Sequence, residues 1–189
     1  MLCGNYTTAS DHKDLRTMKN NQQPPINVHF TIKRKALLYD IENTSYVIGN
    51  IIPDDGQPQK HQFIDVAQEG NIDIVTRALD LAYSECLNFL FPYVKTPVTE
   101  TECGDDMLKE VEEFDFTIQM PATVSQPTVI YLKKLIHEYM VKRVMVEWTS
   151  LSYNEAQPLW ELKAQDVRSK IREVLNFRIK KVRRSLHPF

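Results

Sequence analysis

The chain has 189 residues, 42% of them hydrophobic and 25% charged, with a formal charge of −2. This is enough apolar material for one ordinary domain with arms, and the bulk charge singles out no partner. No stretch reaches the ~18–20 apolar residues that span a bilayer, and the opening MLCGNYTTASDHKDLR lacks the apolar centre of a secretory leader, so no membrane partner is expected.

Residues 1–27 are polar, with an Asn/Gln run (Asn20 to Gln23) closed by Pro24 and Pro25. Such a segment buries too little apolar surface to offset the entropy of ordering it. It is expected to be an arm that orders on a partner subunit or else packs on its own domain. Residues 28–184 read as a mainly helical domain, and 185–189 as a C-terminal tip. Val28, Phe30 and Ile32 alternate, predicting a short strand or extended lead-in. Lys33 to Ile52 follow as an amphipathic helix with Leu37, Ile41, Ile48 and Ile51 on one stripe, although Thr44 to Val47 also suit a strand. Pro53-Asp54-Asp55-Gly56 is a turn. Asn71 is positioned to cap a second helix, whose stripe of Ile72, Val75, Leu79, Ala82, Cys86 and Leu90 is predicted to end before Pro92. Phe114, Phe116, Ile118 and Met120 alternate with polar residues as a half-buried strand stopped by Pro121. Ser125 as cap and Pro127 in the first turn open a long helix, with Val129, Leu132, Ile136, Tyr139, Arg143/Val144, Trp148 and Leu151 as its stripe. Asn154 opens the last helix, with Trp160, Ala164, Val167, Ile171, Leu175, Ile179 and Val182 inward. The expected fold class is mainly α, an amphipathic helix bundle with a small β element and extended terminal arms.

Charge is segregated along the chain. From Arg168 to Phe189 eight Lys/Arg face one acid, Glu173, while residues 100–115 hold eight carboxylates against Lys109 alone. Separated acidic and basic regions can pair within the fold, pair between copies, or face a polyanion.

Motifs that carry chemistry are scarce. His137-Glu138 begins like a zinc-protease helix, but Val141 stands where the second His is required, so His137 reads as an ordinary helix histidine. Cys3, Cys86 and Cys103 are too few and too scattered for a disulfide framework, they form no CxxC pair, and Cys86 lies on an apolar stripe. The glycines form neither a phosphate loop nor a dinucleotide fingerprint, and the acids of 100–115 lack calcium-loop spacing. No cofactor, metal site or enzymatic activity is expected. The most specific local feature is the terminus FRIKKVRRSLHPF. Arg178, Lys180, Lys181, Arg183 and Arg184 exceed what a helix dipole calls for, and they suit contact with phosphates or an acidic partner. Leu186, His187, Pro188 and Phe189 form an apolar tip suited to docking in a groove.

A helix of the form AxDxAYSECLNFLFPY, an irregular insertion with a strand, then PTVIYLKKLIHEYMVKRVMVEW and a basic last helix resemble the head–tail connector (adaptor) proteins of tailed bacteriophages. The resemblance runs from about Asn71 to Arg184 and is one of helix order and spacing. It implies a homo-oligomeric ring between portal and tail or neck proteins, found in the virion and in host cytoplasm during assembly, with double-stranded DNA passing through the lumen. Within such a ring, Glu110, Glu112 and Glu113 are the candidate acidic patch facing the next subunit. A nucleic-acid-binding helical protein without sequence preference, or a stand-alone helical protein such as an accessory enzyme, are the other classes the chain could belong to.

Overall fold

A computed structural model describes residues 24–51, 66, 70–94 and 111–176. Two strands and four helices result: β1 (Ile26–Lys33), α1 (Arg34–Ile51), α2 (Ile72–Val94), β2 (Glu113–Met120), α3 (Gln126–Ser152) and α4 (Gln157–Asn176). The fold is mainly helical with a small antiparallel sheet, as the periodicities predict. Residues 1–23 of the N-terminal arm, the C-terminal residues 177–189 with the tip, and the turn at residues 53–56 lie outside the described residues.

In β2 the alternation is complete: Phe114, Phe116, Ile118 and Met120 are buried and the residues between them exposed. That single-faced pattern pins its register, because a slip of one residue would turn all four apolar side chains to water. β1 runs antiparallel to it from Ile26 opposite Met120 to Lys33 opposite Glu113. The strand therefore starts within the residues assigned to the arm: Ile26 and Asn27 find partners in Met120 and Gln119. Phe30 stacks on Phe116 across the ladder with centroids 5.5 Å apart, and Tyr83 of α2 meets Phe116 edge-on at 5.2 Å. The sheet's inner face thus closes on α2 and α3.

α1 continues directly from β1 and stays helical through Thr44–Val47. Leu37, Ile41 and Ser45 line its buried side, and the Ser45 hydroxyl is satisfied by the carbonyl of Glu42 at 2.8 Å. A buried stripe at helical spacing outweighs the local preference of β-prone residues. Arg34, buried at the start of α1, donates to the Thr76 hydroxyl of α2 and so ties the two helices.

α3 is the hub, packing against α1, α2, α4 and β1. Its burial is wider than one stripe. Leu135, Met140, Val141, Met145, Val146 and Thr149 are buried together with the expected positions, whereas Leu151 is 67% exposed. A central helix is covered from several sides, so no single stripe describes it. Ser125 has the extended backbone of a cap, yet its hydroxyl bonds the Thr128 side chain at 2.8 Å and not a backbone N–H.

Two helix ends differ from expectation. α2 passes through Pro92 to Val94. Its last turn is held by the packing of Phe89, Tyr93 and Val94 on the core and by the Tyr93 hydroxyl, which donates to Asn176 Oδ1 at 2.6 Å. These contacts outweigh the backbone bond that a proline forfeits. The other difference is at Asn154, where Asn154–Ala156 form a 3₁₀ turn and the α-helix begins at Gln157. Trp160, Ala164, Val167, Ile171 and Leu175 then face inward as the spacing requires.

Candidate functional site

Most of the residues singled out by sequence fall outside the described residues: Arg178, Lys180, Lys181, Arg183, Arg184, Leu186, His187, Pro188, Phe189 and Glu110. Glu112 and Glu113 are placed. The Glu112 carbonyl accepts the Arg34 N–H at 2.9 Å, extending the ladder, and Glu113 stands opposite Lys33 at the end of the sheet. Asp115, also from the acidic run, lies 3.7 Å from His29 Nε2 on the exposed face. The described end of the acidic run therefore neighbours Lys33 and His29 of its own sheet.

His137 is engaged in packing: its Nε2 meets Asp40 Oδ2 at 2.6 Å and joins α3 to α1. Cys86 is fully buried on α2, and burial pushes its thiol well above its ordinary range, which suppresses the thiolate. Among the described residues no group of three or more His, Cys, Asp or Glu could hold a metal ion.

The main polar constellation escaped the sequence reading. Where α2, α3 and α4 meet there is a groove of about 360 Å³ lined by Glu85, Asn88, Tyr139, Arg143, Glu161, Ala164, Gln165 and Arg168. Arg143 sits at its centre. Its Nε donates to both Glu85 oxygens, at 2.9 and 3.1 Å, while its terminal nitrogens reach Glu147 at 3.1 Å and Glu161 at 3.5 Å. Burial opposes the charge on Arg143, but the bond and charge of Glu85, then the charges of Glu147 and Glu161, prevail and hold it protonated. The Tyr139 hydroxyl donates to Glu85 at 3.0 Å. Arg168 lies 5.3 Å from the Phe89 ring centroid.

Chemically the groove is a clamp. Each of the three guanidinium nitrogens of Arg143 faces a carboxylate, and a guanidinium so surrounded offers little to an incoming anion. Tyr139 is also a poor acid or base near neutrality, because burial first and the Glu85 charge second raise its phenol above the ordinary range. The signal that could have revealed the cluster is Tyr139-Arg143-Glu147 at successive intervals of four on α3, a polar line among the buried residues of its second half.

These phenols predict an alkaline limit. Tyr139 and Tyr83 are raised from 10.0, chiefly by burial, so the fold favours their neutral forms. A group raised in the fold contributes its full stability below its unfolded value and loses it as pH climbs past that value. Urea midpoints are therefore expected to be insensitive to these groups up to about pH 9 and to fall above about pH 10. Tyr139→Phe should flatten that fall. An unchanged wild-type midpoint at pH 11 would refute the assignment.

Large apolar side chains are exposed on several elements, Leu81 and Phe91 on α2 and Ile130 and Tyr131 on α3 among them. On α1, Tyr39 (68%) and Tyr46 (56%) lie two turns apart, opposite the buried stripe. At the α3–α4 corner, Leu151, Leu159 (53%) and Leu162 (64%) face solvent. No helix of the described residues is long and apolar enough to cross a membrane. No protein-family model matches the chain, and no curated protein or solved structure matches it significantly.

Proposed function

We propose that the chain is a structural, ring-forming subunit of the head–tail connector type, set between portal and tail of a tailed bacteriophage and surrounding the DNA channel. The observation that carries this reading is that large apolar side chains are exposed on more than one face of the bundle, on α1 and at the α3–α4 corner among others. A head-to-tail ring joins two different faces of identical subunits, whereas a two-fold dimer needs one face only. Tyr39 and Tyr46 belong to the α1 side, where Asp40 meets His137. Leu151 lies about 20 Å farther along α3, at 1.5 Å per residue, beside the start of α4. Scattered exposed leucines are ordinary on a monomer, and exposed tyrosines and leucines on different faces are what a head-to-tail contact would cover.

A clamp at the centre of the bundle supports the same reading. A ring under load needs subunits whose helices keep their register, and the Arg143 cluster joins three of them. Arg178, Lys180, Lys181, Arg183 and Arg184 are assigned to phosphates of the passing duplex or to the neighbouring ring, and Leu186 to Phe189 to a groove in the portal or adjacent ring. Contact with DNA by such cations is indifferent to sequence and weakens with salt, which a conduit needs.

Light scattering of the purified chain tests the proposal. A closed oligomer is expected, reduced to smaller species by Leu159→Ser with Leu162→Ser. A monomer at every concentration, or an oligomer indifferent to both leucines, would overturn it. Arg178→Gln, Lys181→Gln and Arg184→Gln together separate the roles of the basic end: lost docking to portal or neck protein assigns it to protein, and impaired DNA retention with normal docking assigns it to the lumen.

A further inference from the structure

The two edges of the small sheet are not equivalent. In an antiparallel ladder, alternate residues bond across to the partner strand, and those between point their N–H and C=O outward. The Arg34 N–H bonds the Glu112 carbonyl, so the inward set on β1 is Val28, Phe30 and Ile32. The outward set is Asn27, His29 and Thr31, joined by the Lys33 N–H. On β2 the outward set includes Asp115, and there one acceptor is covered: the Tyr83 hydroxyl donates to the Asp115 carbonyl at 2.8 Å, and the Tyr83 ring packs on Phe114 and Phe116. On β1 the outward groups have no hydrogen-bond partner among the described residues. The strand carries no proline, bulge or inward charge to discourage pairing, the usual protections of an exposed edge.

We propose that β1 is an interaction edge, and that its occupant is β1 of a second copy, paired antiparallel about a two-fold axis at Phe30. The register follows from the residues. With Phe30 opposite Phe30 of the second copy, His29 meets Thr31 and Asn27 meets Lys33, so every outward group except the Asn27 N–H finds a partner within the strand. Shifting by two residues one way sets Lys33 against Pro25, which has no N–H to donate, and His29 against His29. Shifting the other way sets His29 against Lys33 and leaves Asn27 facing Lys35 in α1. The central register forms about six new main-chain bonds.

Charge and packing agree with it. On the solvent face the rows across the joined sheet read Glu113, Lys33, Asn27, Gln119 and Asp115, Thr31, His29, Thr117, the last two of each row from the second copy. Each row holds one acid and one basic side chain, and no like charges stand opposite one another. On the inner face the Phe30–Phe116 stack continues across the axis into its symmetry mate, with Val28 opposite Ile32. Tyr83 on the Asp115 carbonyl takes a central acceptor away from a head-to-tail β1–β2 pairing, although the charges alone would permit one. This isologous contact does not rest on the ring reading: it joins copies in pairs whether or not the pairs belong to a larger assembly.

The test uses prolines at outward positions of the full chain. Thr31 contributes no N–H to the β1–β2 ladder, so Thr31→Pro should leave the fold in place and remove the outer bonds. Sedimentation is expected to show the mass of the assembly falling by half. Thr117→Pro, the same change on the β2 edge, should leave the mass unaltered. Equal loss in both variants, or none in Thr31→Pro, overturns the inference while leaving a ring held by Leu159 and Leu162 untouched. Hydrogen exchange of the wild-type chain needs no variant. Amides of His29, Thr31 and Lys33 should be protected in a concentration-dependent way, and fast exchange at all three beside protected Val28, Phe30 and Ile32 would rule the pairing out.

Discussion

Phe116→Ala is expected to cost about 3–5 kcal/mol, the range for deleting a large buried aromatic, and to lower the melting temperature by about 10 °C. The ring is 1% exposed and stands between Phe30 on β1 and Tyr83 on α2, so one truncation empties a space shared by the sheet and a helix. Its neighbours cannot easily collapse into the gap. Tyr83 is tethered by its hydroxyl to the Asp115 carbonyl, and Phe30 is held in register by the ladder. Phe116→Leu keeps most of the volume and should cost about half as much or less. Thermal unfolding of the two variants checks the claim. Equal, small losses in both would mean that the sheet is peripheral to stability and only decorates the bundle.

Arg143→Met is the second large effect, expected at about 2–3 kcal/mol. The substitution keeps the aliphatic stem in place but leaves Glu85, 31% exposed, without the Arg143 Nε–H that both its oxygens share and next to the Tyr139 hydroxyl. Removing one member of a partly buried pair leaves an uncompensated charge, which costs more than the pair itself contributes. The three carboxylates are not equivalent. Glu161 is 45% exposed and 3.5 Å away, so Glu161→Gln should cost less than about 0.5 kcal/mol once solvent screening is allowed for. Combining Arg143→Met with Glu85→Gln should recover part of the loss, since both charges then disappear together. Additive losses in that double-mutant cycle would show that Arg143 acts through packing alone.

The clamp also explains why a search for catalytic motifs along the chain passed over the most polar part of the interior. Its members come from α2, α3 and α4, far apart in sequence, and each is unremarkable in its own helix. Glu85 sits beside the buried Cys86, and Arg143 shares a turn with the buried Val144, so local periodicity assigns the neighbourhood to the core without saying that a charge network threads it. The basic C-terminal residues were the opposite case, conspicuous as a run of like charges. Their role in the proposed lumen or docking surface depends on partners that the fold of one chain does not contain.

Element type along the chain was legible from the sequence alone. Period-two alternation marks β2, three- and four-residue spacing marks α2 and α4, and burial of Cys86, Trp160, Ile171 and their stripe-mates follows because an apolar side chain on a regular element has one direction to hide in. Only the tertiary structure decided how the elements meet. β1 and β2 are separated by two helices in sequence, and no local signal specifies that Phe30 should face Phe116. The same holds for the wide burial of α3 between Leu135 and Thr149, the exposure of Leu151, the continuation of α2 through Pro92 and the bond of Tyr83 to the Asp115 carbonyl. Each depends on which neighbours cover which side, a free energy summed over contacts between distant segments, whereas periodicity reports only the direction a side chain takes from its own backbone.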